Sequence, residues 1–145
     1  MEEERIKRYN DKLEYLNQTI ENLNNWTESV DSKEFIERLE LQKQYGIYHA
    51  FQIGIEIITD LVSMIVKDVG LIPKDDYSNI NMLKNKKIIS ADLAAKLREA
   101  NGLRNRIVHD YNGLDNELAY NGLINLLKYF QDFKVEAKEW LKKNC

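Results

Sequence analysis

The stretch Gly46–Val66, GIYHAFQIGIEIITDLVSMIV, decides the fold. Tyr48, Phe51, Ile55, Ile58, Val62 and Ile65 recur at spacings of three and four and share one side of a helix. Ala50, Ile53, Ile57, Leu61 and Met64 share another. A helix apolar on two faces either spans a membrane or lies between neighbours in a protein core. The polar residues decide between these. His49, Gln52, Glu56 and Asp60 run through the middle of the stretch, and acidic groups at bilayer depth are costly. The stretch therefore reads as the most buried helix of a soluble bundle.

Working outward, Asp31 and Glu34 form a capping box, each able to satisfy a free amide at a helix start. No Pro occurs from there until Pro73. The pattern predicts one helix from Ser32 to Asp68, about 55 Å long at about 1.5 Å per residue, with Gly70 as its C-terminal cap. Upstream, Ile6, Tyr9, Leu13, Leu16, Ile20 and Leu23 mark an amphipathic helix over Glu3–Leu23, with Trp26 packing the corner. Downstream, Leu71–Ser90 reads as a connection with a short helical piece over Asn79–Lys86. Its Lys84, Lys86 and Lys87 read as a solvated face.

Ser90 is a good N-cap, with Asp92 favourable in the first turn. Leu93, Leu97, Ala100, Leu103 and Ile107 line one face of the next helix, which Gly113 is placed to end. Asp115 caps a last helix over Asn116–Lys142, with Leu118, Leu123, Leu126, Leu127, Phe130, Phe133, Ala137, Trp140 and Leu141 inward. The predicted fold is all-α, an up-and-down antiparallel four-helix bundle with a short extra helix between the second and third main helices. It forms a single domain over residues 1–145.

Composition agrees. The 145 residues suit one core. A net charge of −3 excludes a generally basic nucleic-acid binder. One Pro and six Gly favour long helices. The single Cys145 allows neither an intrachain disulfide nor a Cys-based metal site, and the charged MEEERIKRYN start lacks an apolar signal core. Both fit a reducing cytoplasm.

Chemistry concentrates in Arg104-Asn105-Arg106-Ile107-Val108-His109-Asp110-Tyr111. Asn105 and His109 are one turn apart on one helix face, with Arg98 and Gly102 extending that face backward. Gly in a helix interior costs roughly 1 kcal/mol relative to Ala, and a bare patch at Gly102 would let another surface approach. Arg104 and Tyr111 share a second face if the helix persists that far. Arg104 and His109 lie about 140° apart around the axis, so two copies of this helix near a two-fold axis would bring them together better than one. The negative helix end favours an imidazolium at His109. Imidazole can exchange a proton with an RNA 2′-hydroxyl or a 5′-leaving oxygen. Arg104 offers a planar fork to a phosphate gaining charge in the transition state, and Asn105 can orient the imidazole. This set suits metal-independent phosphodiester cleavage. No metal-ligand spacing or Gly-rich phosphate loop competes with it. The purely structural reading is a capping His with a surface Arg106–Asp110 pair at i,i+4.

Gln52, Glu56 and Asp60 form a polar stripe at i, i+4, i+8 on the central helix. Such groups need partners when buried. Either Glu56 or Asp60 holds Arg104 or His109, or the stripe is a structural pair or a wet dimer seam. His49 reads as a packing or interface residue. Tyr45, Tyr48, Phe51, Tyr129, Phe130 and Phe133 read as core or interface fillers.

The segment resembles the HepT-type toxins of the HEPN superfamily. Their mark is Arg, four to six residues, His, one residue, Tyr, at the end of the third main helix; Arg104, His109 and Tyr111 fit it without departure. The approach Leu97–Asn105 and the stretch Phe51–Asp60 are similar to the family too, and the likeness covers nearly the whole chain. The resemblance implies a homodimer with its Arg/His motifs facing across a cleft. It implies a ribonuclease acting on RNA rather than DNA, with no cofactor and no membrane. It implies a minimal nucleotidyltransferase antitoxin as partner, which transfers AMP from ATP onto Tyr111 and silences the nuclease. On this reading Arg104, His109 and Asn105 are catalytic, Tyr111 is the control point, and Glu56, Asp60, Asp110 and Gly102 give support. The alternative is a non-catalytic helical adaptor that binds the nucleotidyltransferase.

Overall fold

The computed structural model describes residues 1–145, and every regular element is helical. Helix α1 spans Glu3–Thr27, α2 Ser32–Glu37, α3 Leu41–Asp68, α4 Asp76–Asn85, α5 Ala91–His109 and α6 Asn116–Asn144; a 3₁₀ turn covers Tyr111–Gly113. The four long helices α1, α3, α5 and α6 make the up-and-down bundle. Helix α3 packs on α1, α4, α5 and α6. Thirty-five buried apolar residues form one continuous core.

Both apolar sides of α3 are used. Tyr48, Phe51, Ile55, Ile58, Val62 and Ile65 are buried, as are Ala50, Leu61 and Met64, while Ile53 and Ile57 on the second face are only half-buried. By length and apolarity this helix passes as a membrane span, but neighbours within the bundle cover it. Gly54 sets one approach. A Cβ there would lie 2.7 Å from Cε2 of Phe130 on α6, so only glycine lets the fully buried Phe130 ring reach the α3 backbone. Gly70 adopts φ +87°, and Leu71 N–H donates to the Val66 carbonyl at 3.1 Å, closing α3 with a left-handed cap.

The single helix expected over Ser32–Asp68 is broken at Arg38–Glu40. The Leu39 N–H bonds back to the Glu34 carbonyl at 2.9 Å, and the Gln44 amide donates to the carbonyls of Phe35 and Leu39 at 2.9 and 3.0 Å. Those bonds replace the missing helical ones. The break lets α2 dock on α6, with Phe35 fully buried and stacked on Tyr120 at 4.1 Å. That aromatic burial outweighs the helical continuity that propensity alone favours. Asp31 caps α2 through the Glu34 N–H at 2.8 Å, as the capping box predicts. Two expected core residues are exposed. Leu118 is 72% exposed because the first turn of α6 runs past the bundle edge, where Ala119 and Tyr120 take the inward positions. Trp26, at 48%, lies on a surface groove rather than inside the corner.

Candidate active site

Helix α5 begins as expected, with Ser90 Oγ accepting from Leu93 N–H at 3.1 Å. Leu93, Leu97, Ala100, Leu103 and Ile107 are buried, which fixes the helix rotation and so the direction of its polar residues. The helix ends at His109, four residues before Gly113. Asp110 leaves helical geometry at φ −139° while its N–H still donates to the Arg106 carbonyl. Tyr111 therefore lies on the 3₁₀ turn, and the shared face expected for Arg104 and Tyr111 does not exist. The Asp110 carboxylate folds over Gly113, where a Cβ would lie 2.7 Å from Oδ1. Asp110 forms no ion pair with Arg106; the turn has drawn its side chain away.

Arg104 faces α4. Its Nη2 lies 3.8 Å from Asp76 Oδ2, the Arg side chain is 18% exposed, and its Nε is buried without a hydrogen-bond partner. One turn earlier, Asn101 is buried with Oδ1 unpartnered. Asn105 Nδ2 donates to the Tyr77 hydroxyl at 3.5 Å. Gly102 has the same Tyr77 hydroxyl 3.7 Å from where its Cβ would be. His109 is exposed at the helix end. No hydrogen bond joins it to Arg104, so one chain presents these two groups in different directions.

Tyr111 packs edge-on against Tyr45 and Tyr48, with ring centroids 5.5 and 6.0 Å away. Burial, and then the neighbouring Tyr45 phenol, raise the Tyr111 pKa above the usual phenol range. Tyr45 is 49% exposed, so it is no core filler. With His49, Gln52, Ile107 and Val108 these tyrosines line an open groove of about 360 Å³.

The polar stripe starts at this groove with Gln52 and runs away from it along α3. Gln52 Nε2 donates to Glu56 at 3.1 Å, and Asp60 pairs with Lys12 of α1 at 3.2 Å. Within one chain neither acid holds Arg104 or His109, because their side of α3 faces solvent and α1. Asp76 takes that place for Arg104. Asp76 and Tyr77 escaped the sequence reading, since the first turn of α4 lay in what looked like a connecting loop.

The chain matches the family described as Ribonuclease HepT-like over residues 16–137. It is 37% identical over 131 residues to a protein of Archaeoglobus fulgidus that carries the name of a candidate RNase, covering 88% of this chain and 91% of that one. The chain belongs to the HepT-like family. Its fold is that of the tri-AMPylated HEPN toxin of Shewanella oneidensis, solved in complex with an MNT antitoxin. That match has a TM-score of 0.80 at 21% identity and covers 96% of this chain and 99% of that one. A cytosolic protein of unknown function from Bacillus subtilis, YutE, shares the fold at TM-score 0.76 and 13% identity, covering 95% and 91%. For this HepT-like chain, the resemblance carried by Arg104, His109 and Tyr111 and the all-helical bundle are both upheld.

Proposed function

We propose that this chain is the toxin of a HEPN/nucleotidyltransferase pair, a metal-independent endoribonuclease whose site is assembled from two copies. The observation that carries the reading is the divergence of Arg104 and His109 within one chain. Arg104 is turned to α4 while His109 is exposed at the end of α5. A guanidinium and an imidazole that are presented apart in one subunit become one site when two α5 ends face each other.

In that cleft an RNA 2′-oxygen attacks its own phosphorus and the bond to the 5′-oxygen breaks. His109 of one copy takes the 2′-hydroxyl proton, and water supplies the proton to the departing oxygen. Arg104 neutralises the phosphate charge that builds up, and Asn105 orients the strand or the imidazole. Tyr111 is the control point. Adenylylation by the nucleotidyltransferase would join its phenol oxygen to the AMP phosphorus, with pyrophosphate leaving ATP and the phenol proton passing to a base. The added phosphate and nucleoside would fill the groove beside Tyr111 and block RNA from the cleft. The AMPylated state of the Shewanella toxin favours this reading.

Mixed dimers test the shared site. R104A and H109A homodimers should each be inactive. Co-folded, the two variants should regain a substantial fraction of wild-type cleavage, because half of the composite sites then keep both groups. Mixed dimers as dead as their parents would refute the shared site. A wild-type dimer that binds the nucleotidyltransferase but cuts no RNA would favour the adaptor alternative, which the net charge of −3 recommends.

A further inference from the structure

The α4–α5 seam carries a ladder of polar contacts. Arg98 donates to Asn81, Arg104 faces Asp76, and Asn105 donates to Tyr77. Arg98 and Asn105 are seven residues apart and share a face of α5, and Arg104 flanks it, so the contacts hold adjacent strips of α5 against α4.

The α4 side is built to stay still. Asp75 Oδ1 accepts from Ser78 N–H at 2.9 Å and its Oδ2 from Ser78 Oγ at 2.8 Å. The backbone and side chain of Ser78 hold the Asp75 carboxyl below the usual carboxylate range. Asn79, 2% exposed, clasps Lys74: its Oδ1 accepts from Lys74 N–H at 2.7 Å and its Nδ2 donates to the Lys74 carbonyl at 3.1 Å. Pro73 restricts the chain just before it. Asp76 and Tyr77 stand between these two fastenings. Across from them, the Arg104 Nε–H is buried and unpaired. Its guanidinium thus lacks a full set of hydrogen bonds and depends on its one charged neighbour for direction.

We propose that Asp76 and Tyr77, on the first turn of α4, are positioning residues of the site, aiming Arg104 and Asn105 respectively at the scissile phosphate. The proposal rests on the ribonuclease reading above. Asp76 acts by charge, since 3.8 Å is an ion-pair distance and too long for a hydrogen bond. It also sets a negative charge near the path of the phosphate, so it should orient the transition-state contact at the expense of ground-state binding.

The test compares D76A, D76N, D76E and Y77F with wild type and H109A, on intact dimers, with melting temperature recorded for each. D76A and D76N should lose about tenfold or more in kcat, the scale on which a misplaced group costs rate, with KM unchanged or lower. D76E keeps the charge and should recover most of the loss. Y77F should lose several-fold in kcat. A merely structural role would instead lower the melting temperature and leave this split unseen. A D76A enzyme within twofold of wild type in kcat, or a D76E enzyme no better than D76A, overturns the proposal.

A second readout does not need activity. The ¹⁵N-bound Nε proton of Arg104 should exchange slowly with water in wild type and D76E, and at least tenfold faster in D76A; equal rates overturn the proposal. If wild type cuts no RNA, the ribonuclease reading falls, and the proton exchange still decides whether Asp76 holds Arg104.

Discussion

Replacing Gly54 by alanine tests how the central helix meets α6. The new Cβ would lie 2.7 Å from Cε2 and 3.1 Å from Cδ2 of Phe130. That ring is fully buried and stacked on Phe51, centroids 5.3 Å apart, so it cannot swing aside. Overpacking of this kind costs about 1–3 kcal/mol, and the helical preference of Ala over Gly returns roughly 0.5–1 kcal/mol. The net cost is about 0–2.5 kcal/mol, which should lower the melting temperature by up to about 8 °C for a chain of this size. Gly46 of the same helix is the internal control. A Cβ there meets nothing within 4 Å, so G46A should stabilise by up to about 1 kcal/mol. The assay is thermal and urea denaturation of both variants followed by circular dichroism. If G54A proves as stable as G46A, the α3–α6 approach is not the tight one described, and the rotation of α3 within the bundle needs revision.

Q44A should cost about 1–3 kcal/mol in urea denaturation, because two backbone carbonyls at the α2–α3 break lose their donor; a change below about 0.5 kcal/mol would contradict the capping role. Alkaline stability should be limited by buried phenols. Burial raises the Tyr9 and Tyr48 pKa values and pushes Tyr120 up to about 12. A phenol whose pKa is raised by folding contributes stability that is complete below its unfolded value of about 10 and is lost as pH rises through the folded value. Stability should therefore fall between pH 10 and about 12. Y120F removes the hydrogen bond to the Val30 carbonyl, so it should start less stable at pH 7 and decline less steeply above pH 10. Parallel pH curves would refute this.

Much of the bundle was legible in the sequence because its signals are local. The apolar period of α3, the Ser90 and Asp115 caps and the glycine after Asp68 each act within a turn or two of chain. The break at Leu39 was not legible. It depends on Phe35 finding Tyr120, 85 residues away in sequence, and no local pattern encodes that contact. The same holds at the site. Arg104, Asn105 and His109 announce themselves by residue type and spacing. Asp76 and Tyr77 join them only because α4 folds back along α5. Of the alternatives for Glu56 and Asp60, a tie to Arg104 or His109 is not made within one chain, and Glu56 pairs with Gln52 instead: a stripe at helical spacing shows which residues share a face, but not which element that face meets.

The central claim is that the motif around His109 cleaves RNA without a metal. The direct measurement is the cleavage of labelled single-stranded RNA by purified dimer in excess EDTA, with H109A alongside. Wild type should cut in EDTA at an undiminished rate and H109A should be at least about a hundredfold slower, as loss of a general acid–base group entails. Cleavage abolished by EDTA, or an H109A dimer as active as wild type, would contradict the account.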